Sequence, residues 1–454
     1  MTASPEEFGA LLSNPYLMMK KRTILAVVGL FLVVLTGIRL AWNGLQTNDT
    51  RAEAVNGLVD LSDWDPASQP IFSLSGQWTF YPSQLVAPGS DGALALGDGA
   101  VRTLKVPGSW KAAFGPSSGG AVGFGTYRLR ILLPPGGLPG QELTVRVPGI
   151  SSSSALYVNG RLTGSAGRPA DRAAAYTAGV VPYAVTFAAD RDVLDLTLQA
   201  ANYDNRISGG LTESVRLGTA QAMGRTQRVT DGAQAALILL AAMHGLYAIA
   251  LYFIGARQRA LLLFSLLNLC GALSILCNED QLLSTWFGVD FETAGKVFYL
   301  SYLSVAALML QYLRSLLPEF RILRHTRWHF AACVLFGVFV LVSPVRVFTL
   351  PYADGFHTAL LLTSFIAAPV VIYLAVRRGA PDAIYLLLAA VAIAWNLMWG
   401  DFQLYGFAGQ RLLSVRFARL FRDARALLVQ AVFPQCRRDR PIGRASPGGR
   451  QTQG

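Results

Sequence analysis

Six apolar segments between Ala233 and Trp399 decide most of what this chain can become. They centre on Ala233–Ile254, Ala260–Cys277, Lys296–Leu317, Trp328–Val342, Phe356–Val376 and Asp382–Trp399. Most have the roughly 17–25 residues a helix needs to cross a hydrocarbon core, and the fourth borrows from its flanks. Unpaired backbone amides are too costly in lipid for any open alternative, so these segments read as helices. With 52% hydrophobic and 15% charged residues, the chain is a membrane protein. Its formal charge of +12 is gathered beside apolar segments and in the C-terminal tail, not on a folded module. That distribution suits a membrane face and gives no sign of a nucleic-acid partner.

Charge also orients the block. If the chain before it lies outside, one set of loops carries Arg257, Arg259, Arg314, Arg321, Arg324, Arg327, Arg377 and Arg378. The opposite loops carry Glu279, Asp280, Asp290 and Glu292, with Lys296 and Arg346 as their basic residues. Positive charge stays inside, which puts the N-terminal module outside the membrane. Ahead of that module, residues 1–22 form a polar lead ending in Lys20-Lys21-Arg22, and residues 23–42 form an apolar run. This run is an uncleaved anchor or a signal peptide, and either one exports the module behind it.

Residues 43–230 change character. In Tyr127, Leu129 and Ile131, in Leu143, Val145 and Val147, and in Leu194, Leu196 and Leu198, apolar residues alternate with polar ones. Period-two alternation marks half-buried antiparallel strands. Pro134-Pro135-Gly136-Gly137, Asn159-Gly160 and Gly209-Gly210 supply turns between them. Strands at this spacing predict a β-sandwich. The region has no Cys, so it carries no disulfide; Cys270, Cys277 and Cys333 lie in or beside apolar segments and Cys436 in the tail. The fold class expected is therefore mixed: a membrane helix or signal peptide, an antiparallel β-sandwich, then a helical membrane block at 231–400.

Five motifs fall in order: LSGQWTFY (Leu74 to Tyr81), VPGSW (Val106 to Trp110), GFGTYRL (Gly123 to Leu129), LYVNGRLTG (Leu156 to Gly164) and ANYDNRISGG (Ala201 to Gly210). This run resembles the galactose-binding-like jelly roll found outside the membrane in bacterial seven-transmembrane receptors with diverse intracellular signalling modules. It is also similar to the sugar-binding domain of family-two glycoside hydrolases. HGLYAIALYF (His244 to Phe253) extends the receptor resemblance into the membrane block, over roughly Leu74 to Leu428 in all. The resemblance implies an inner-membrane sensor whose periplasmic jelly roll binds a small molecule of carbohydrate type. It also implies a seventh helix and an output domain. Residues 402–410 are too short for a span, so most of that helix is expected to be missing. Residues 401–454 form a basic tail, expected to be disordered after about 428.

Candidate ligand residues are Trp110, whose ring could stack on a sugar, and Asn202, Tyr203, Asp204 and Arg206, which lead from an apolar strand into a Gly-rich loop. Tyr176, with Arg168 and Asp171, is a second group, and Trp78 reads as core. Arg416, Arg419 and Arg422 in the tail are the candidate transmitters to a cytoplasmic partner. His325 and His329 have the i, i+4 spacing of helical metal ligands, but Arg321, Arg324 and Arg327 would repel a cation. His244 and His357 fall in or beside spans, where a neutral, hydrogen-bonded ring is the expected state. No metal, cofactor or catalytic constellation is expected, and the chain does not read as an enzyme. The expected partners are membrane lipid, a small-molecule ligand of carbohydrate type and a cytoplasmic signalling protein, with a homodimer left open. The competing readings are a truncated receptor remnant that no longer signals and a transporter or accessory membrane subunit.

Overall fold

The computed structural model describes residues 21–46, 49–89, 101–114, 120–255, 257–278, 281–380 and most of 383–395. Helix α1 (Lys21–Gln46) leads into eleven strands: β1 (Asp49–Ala54), β2 (Leu58–Asp60), β3 (Ile71–Pro82), β4 (Arg102–Val106), β5 (Gly123–Leu132), β6 (Glu142–Val147), β7 (Ser153–Val158), β8 (Arg161–Ala166), β9 (Tyr183–Ala188), β10 (Val193–Asn202) and β11 (Val215–Thr219). A short helix α2 (Lys111–Phe114) comes after β4.

The strands form one hydrogen-bonded network in the order β8-β7-β10-β5-β3-β11-β6-β9. β3 turns the corner of this network. Its first part pairs with β11 and its last part with β5, so it belongs to both halves. Gly76, with φ +105, sits between those parts, where any Cβ would run into the Ala54 backbone of β1. A residue without a side chain is therefore required at the bend. The network folds onto itself, bringing β8 against β9 where Gly164 faces Tyr183 and Val185. The expected alternation holds: Tyr127, Leu129 and Ile131 of β5, Leu143, Val145 and Val147 of β6, and Leu194, Leu196 and Leu198 of β10 share one core. On the other face Arg128 bonds through Nε to Asp195 Oδ2 at 3.0 Å across β5 and β10. The expected all-antiparallel pairing is modified at the start, since β1 runs parallel to β3 and β2 parallel to β5.

β11 ends at Thr219, and helix α3 (Ala220–Ile254) begins at the next residue. Thr219 caps it, its Oγ1 accepting from Ala222 N at 3.4 Å. Thirty-five residues at 1.5 Å each reach about 50 Å, well beyond a ~30 Å hydrocarbon core. The extra length runs beside the sandwich, where Arg146 of β6 donates to the Gln227 side chain. The boundary expected at 230/231 thus falls inside an unbroken helix.

The block continues with α4 (Arg259–Leu276), α5 (Leu282–Phe287), α6 (Phe291–Leu316), a 3-10 turn (Arg321–His325), α7 (Thr326–Val342), α8 (Val345–Phe348) and α9 (Pro351–Arg377). Among the described residues six helices are long and apolar enough to cross a membrane: α1, α3, α4, α6, α7 with its preceding turn, and α9. The chain is a multi-pass membrane protein. The last expected segment is helical at 383–389. Ala383 and Leu387 join Ile24 of α1, Leu310 and Leu313 of α6 and Ile372 of α9 in one buried cluster. Leu239 and Met243 of α3, Leu335 of α7 and Ile366 of α9 are more than half exposed, which an aqueous surface would not tolerate in such numbers and lipid tails would. The short seventh segment, the tail, Glu279 and Asp280 lie outside the described residues.

Candidate functional site

The candidate ligand residues converge at one end of the sandwich, where β10 finishes and the loop at 203–210 begins. Apolar burial carries β10 inward as far as Asn202, which is fully buried. Its Oδ1 accepts from Ser152 Oγ at 2.8 Å and from Asn205 N at 2.9 Å. Its Nδ2 faces three carbonyls, Asn205 O at 2.6 Å, Ala121 O at 2.8 Å and Ser208 O at 3.1 Å. Every polar atom of the side chain is occupied by the protein itself. Asn202 therefore shapes the loop and does not face a ligand, which corrects the expectation for it.

Trp110 is corrected in the same way. Its ring is fully buried, its Nε1 donates to Ala121 O at 2.9 Å, and it packs edge-on to Phe114 with centroids 5.4 Å apart. Tyr127 lies parallel to it within 7°, centroids 6.4 Å apart. No face is left for a sugar. VPGSW buries this ring because Gly209 and Gly210 let the returning backbone lie directly on it. Trp78 is core, as expected.

The remaining candidates stay accessible. Tyr176 and Tyr203 are half-buried and meet edge to face, centroids 5.1 Å apart. Tyr203 Oη donates to Ala170 O at 3.2 Å, tying the loop at 203–208 to the loop at 168–180. The buried Tyr176 hydroxyl lies beside Ser152 and Asp204, and burial raises its pKa well above the usual tyrosine range. Asp171 is close enough to act on Tyr203, and Arg206 and Arg168, in the two loops that carry the pair, are exposed. The arrangement offers two ring faces, two guanidinium groups and a carboxylate to a solute.

Asp204, beside the Tyr176 hydroxyl, also reaches a second feature. Together with Phe291, Glu292, Pro344, Val345 and Arg346 it lines a half-open cleft of about 250 Å³ between the sandwich and the helices. Its backbone carbonyl accepts from Thr349 Oγ1 at 3.2 Å. Burial raises the Asp204 carboxyl above the ordinary carboxylate range and the nearby Glu292 adds to this, while Tyr176 and Arg346 oppose it. Glu292 itself is held by Lys296 Nζ at 2.9 Å. The loop expected to bind a ligand is therefore also the loop that touches the membrane block.

Beneath this contact lie Tyr299 and Asp354, which sequence reasoning did not single out, and His357, which it did. Tyr299 Oη donates to Asp354 Oδ1 at 2.7 Å, and His357 Nε2 lies 3.3 Å from Tyr299 O. Ionisable groups inside spanning segments were the available signal for these three. Nothing in the sequence marked Thr349 or Phe348. His329, read as half of a metal-ligand pair, turns into the block, with Nε2 3.1 Å from Leu360 O and 3.2 Å from Ser364 Oγ. No group of three or more His, Cys, Asp or Glu suited to a metal occurs among the described residues. Arg416, Arg419 and Arg422 lie outside the described residues.

Solved structures similar to this chain include a GH2 beta-galacturonidase from Eisenbergiella tayi bound to galacturonate, 19% identical, covering 33% of this chain and 24% of that one with a TM-score of 0.24. Beta-glucuronidases of Ruminococcus gnavus and Faecalibacterium prausnitzii are each 16% identical with a TM-score of 0.24, covering 33% of this chain and 28% and 31% of theirs. The chain thus spans under a third of these enzymes' length, and a likeness this distant carries no argument about activity. No curated protein matches the sequence. Residues 231–425, which begin within α3 and run through all the later helices, match the model of the 7TM diverse intracellular signalling family. Over this membrane block, the chain is similar to the 7TM diverse intracellular signalling family.

Proposed function

We propose that the chain is a sensor of the bacterial inner membrane whose periplasmic sandwich binds a small carbohydrate and biases the packing of the helical block. One observation carries this reading: the loop at 203–208 carries Tyr203 of the half-buried Tyr176–Tyr203 pair and also contacts Thr349 of the membrane block. A solute that orders this loop acts on a segment already held by the helices. Sugar rings stack on aromatic faces, and guanidinium and carboxylate groups bind their hydroxyls. Tyr176, Tyr203 and Arg206 are the contact residues in this reading; Trp110 and Asn202 support the loop from below. The periplasmic placement rests on the arginine-rich loops at the far ends of the helices.

Signalling requires unequal affinity of the ligand for two states, not tight binding as such. The unbroken helix from β11 into the membrane would carry a rigid-body shift of the sandwich without loss in a flexible linker. The test is binding of the full chain, in lipid nanodiscs, to a panel of neutral and acidic mono- and oligosaccharides. Binding should fall at least about tenfold in Tyr203→Ala and Arg206→Ala, as expected when a central aromatic or arginine contact is removed. No binding to any member would sink the carbohydrate reading, and binding indifferent to both substitutions would sink this site for it.

A further inference from the structure

The contact between sandwich and helices converges on one short element. α8 (Val345–Phe348) is a single turn set among the sandwich-side ends of α6, α7 and α9, and its two flanks face different partners. On one flank is Thr349. Its hydroxyl has one proton and two acceptors in reach, Val345 O at 2.8 Å and Asp204 O at 3.2 Å. Given to Val345, the bond stays inside the turn; given to Asp204, it ties the turn to the sandwich.

On the other flank is Phe348, fully buried and edge-on to Tyr299 of α6 with centroids 4.9 Å apart. Tyr299 bonds to Asp354 of α9, and its ring lies 4.6 Å from that of His357. The His357 ring lies 5.9 Å from Phe336 of α7. Three spanning helices therefore meet around a side chain whose neighbour in sequence touches the sandwich. Close-packed interiors do not absorb such a displacement continuously; they repack between discrete arrangements.

We propose that α8 is a relay, with the Thr349 hydroxyl choosing between Val345 O and Asp204 O as its two-state element, and Phe348 carrying the choice to the Tyr299–Asp354–His357 cluster. This deepens the sensor reading and rests on it for a signal to relay, but the relay itself can be tested without a ligand. The measurement is hydrogen exchange, segment by segment, of the full chain in lipid nanodiscs. Thr349→Val keeps the branched shape and removes the proton. It should speed exchange both at 203–208 and in the first turns of α6, from Phe291 to Tyr299, by roughly three- to tenfold, the scale of one lost hydrogen bond.

Coupling between sites is reciprocal. Tyr299→Phe, altered only inside the block, should therefore change exchange at 203–208, and Phe348→Leu, which keeps apolar volume, should change both sides. Effects confined to 345–349 for Thr349→Val, and to the helices for the other two, would overturn the relay. The outcomes separate from those of the binding test. Coupled exchange without sugar binding would remove the carbohydrate reading and leave the relay. Sugar binding with uncoupled exchange would do the reverse.

Discussion

Asn202 and Trp110 are the residues on which the rest of the candidate site rests, because each has every partner it can use inside the protein. Asn202→Ala strips partners from Ser152, Asn205 and three carbonyls at once, and buried groups left unpaired are costly. A loss of about 2–4 kcal/mol is expected, read as a lower midpoint of thermal unfolding by tryptophan fluorescence. Asn202→Asp should be no better, since the amide nitrogen faces only carbonyl oxygens. Asp204 makes a different prediction. Its carboxyl is raised above its value of 3.8, chiefly by burial. A raised acid favours the folded contact when protonated. The stabilisation is therefore complete below the unfolded value and is lost as pH rises through the folded one. Exchange at 203–208, corrected for the intrinsic rate at each pH, should be slower at mildly acidic pH than at neutral pH, and Asp204→Asn should flatten that dependence. Dependence that persists unchanged in Asp204→Asn would assign it to another group.

At the scale of elements, α3 makes the sandwich and the membrane block one mechanical piece. The first turn of α3 depends on Thr219, the last residue of β11. Thr219→Ala should cost about 1 kcal/mol, as is usual for a lost N-cap, and loosen exchange over the first turn of α3 without disturbing its membrane part. The strands of this module and the membrane helices were legible in the sequence because each obeys a simple period. Tyr127, Leu129 and Ile131 mark a strand by alternation alone, and the helices declare themselves by length. Loop residues were not legible in the same way. Asn202 and Trp110 have the chemistry of ligand contacts, and only the fold decides that their polar atoms turn inward. Thr349 and Phe348 escaped notice because a four-residue helix has no period to read. Its significance comes from what the third dimension sets beside it.

For the whole molecule, the match of residues 231–425 to the 7TM diverse intracellular signalling family fits a chain in which, among the described residues, a folded module is held to a helical block at two points. One is the continuous helix α3, and the other is the Asp204–Thr349 contact. Two attachments make a shift of the sandwich a deformation of the block, where one flexible tether would not. The central claim is that occupancy at the Tyr176–Tyr203 end is felt by the helices. Hydrogen exchange of the full chain in nanodiscs, with and without a saturating member of the saccharide panel, measures this directly. A sugar that protects 168–180 and 203–208 should also change exchange at 291–299 and 345–357. Protection confined to the sandwich, with the helices unmoved, would contradict the account.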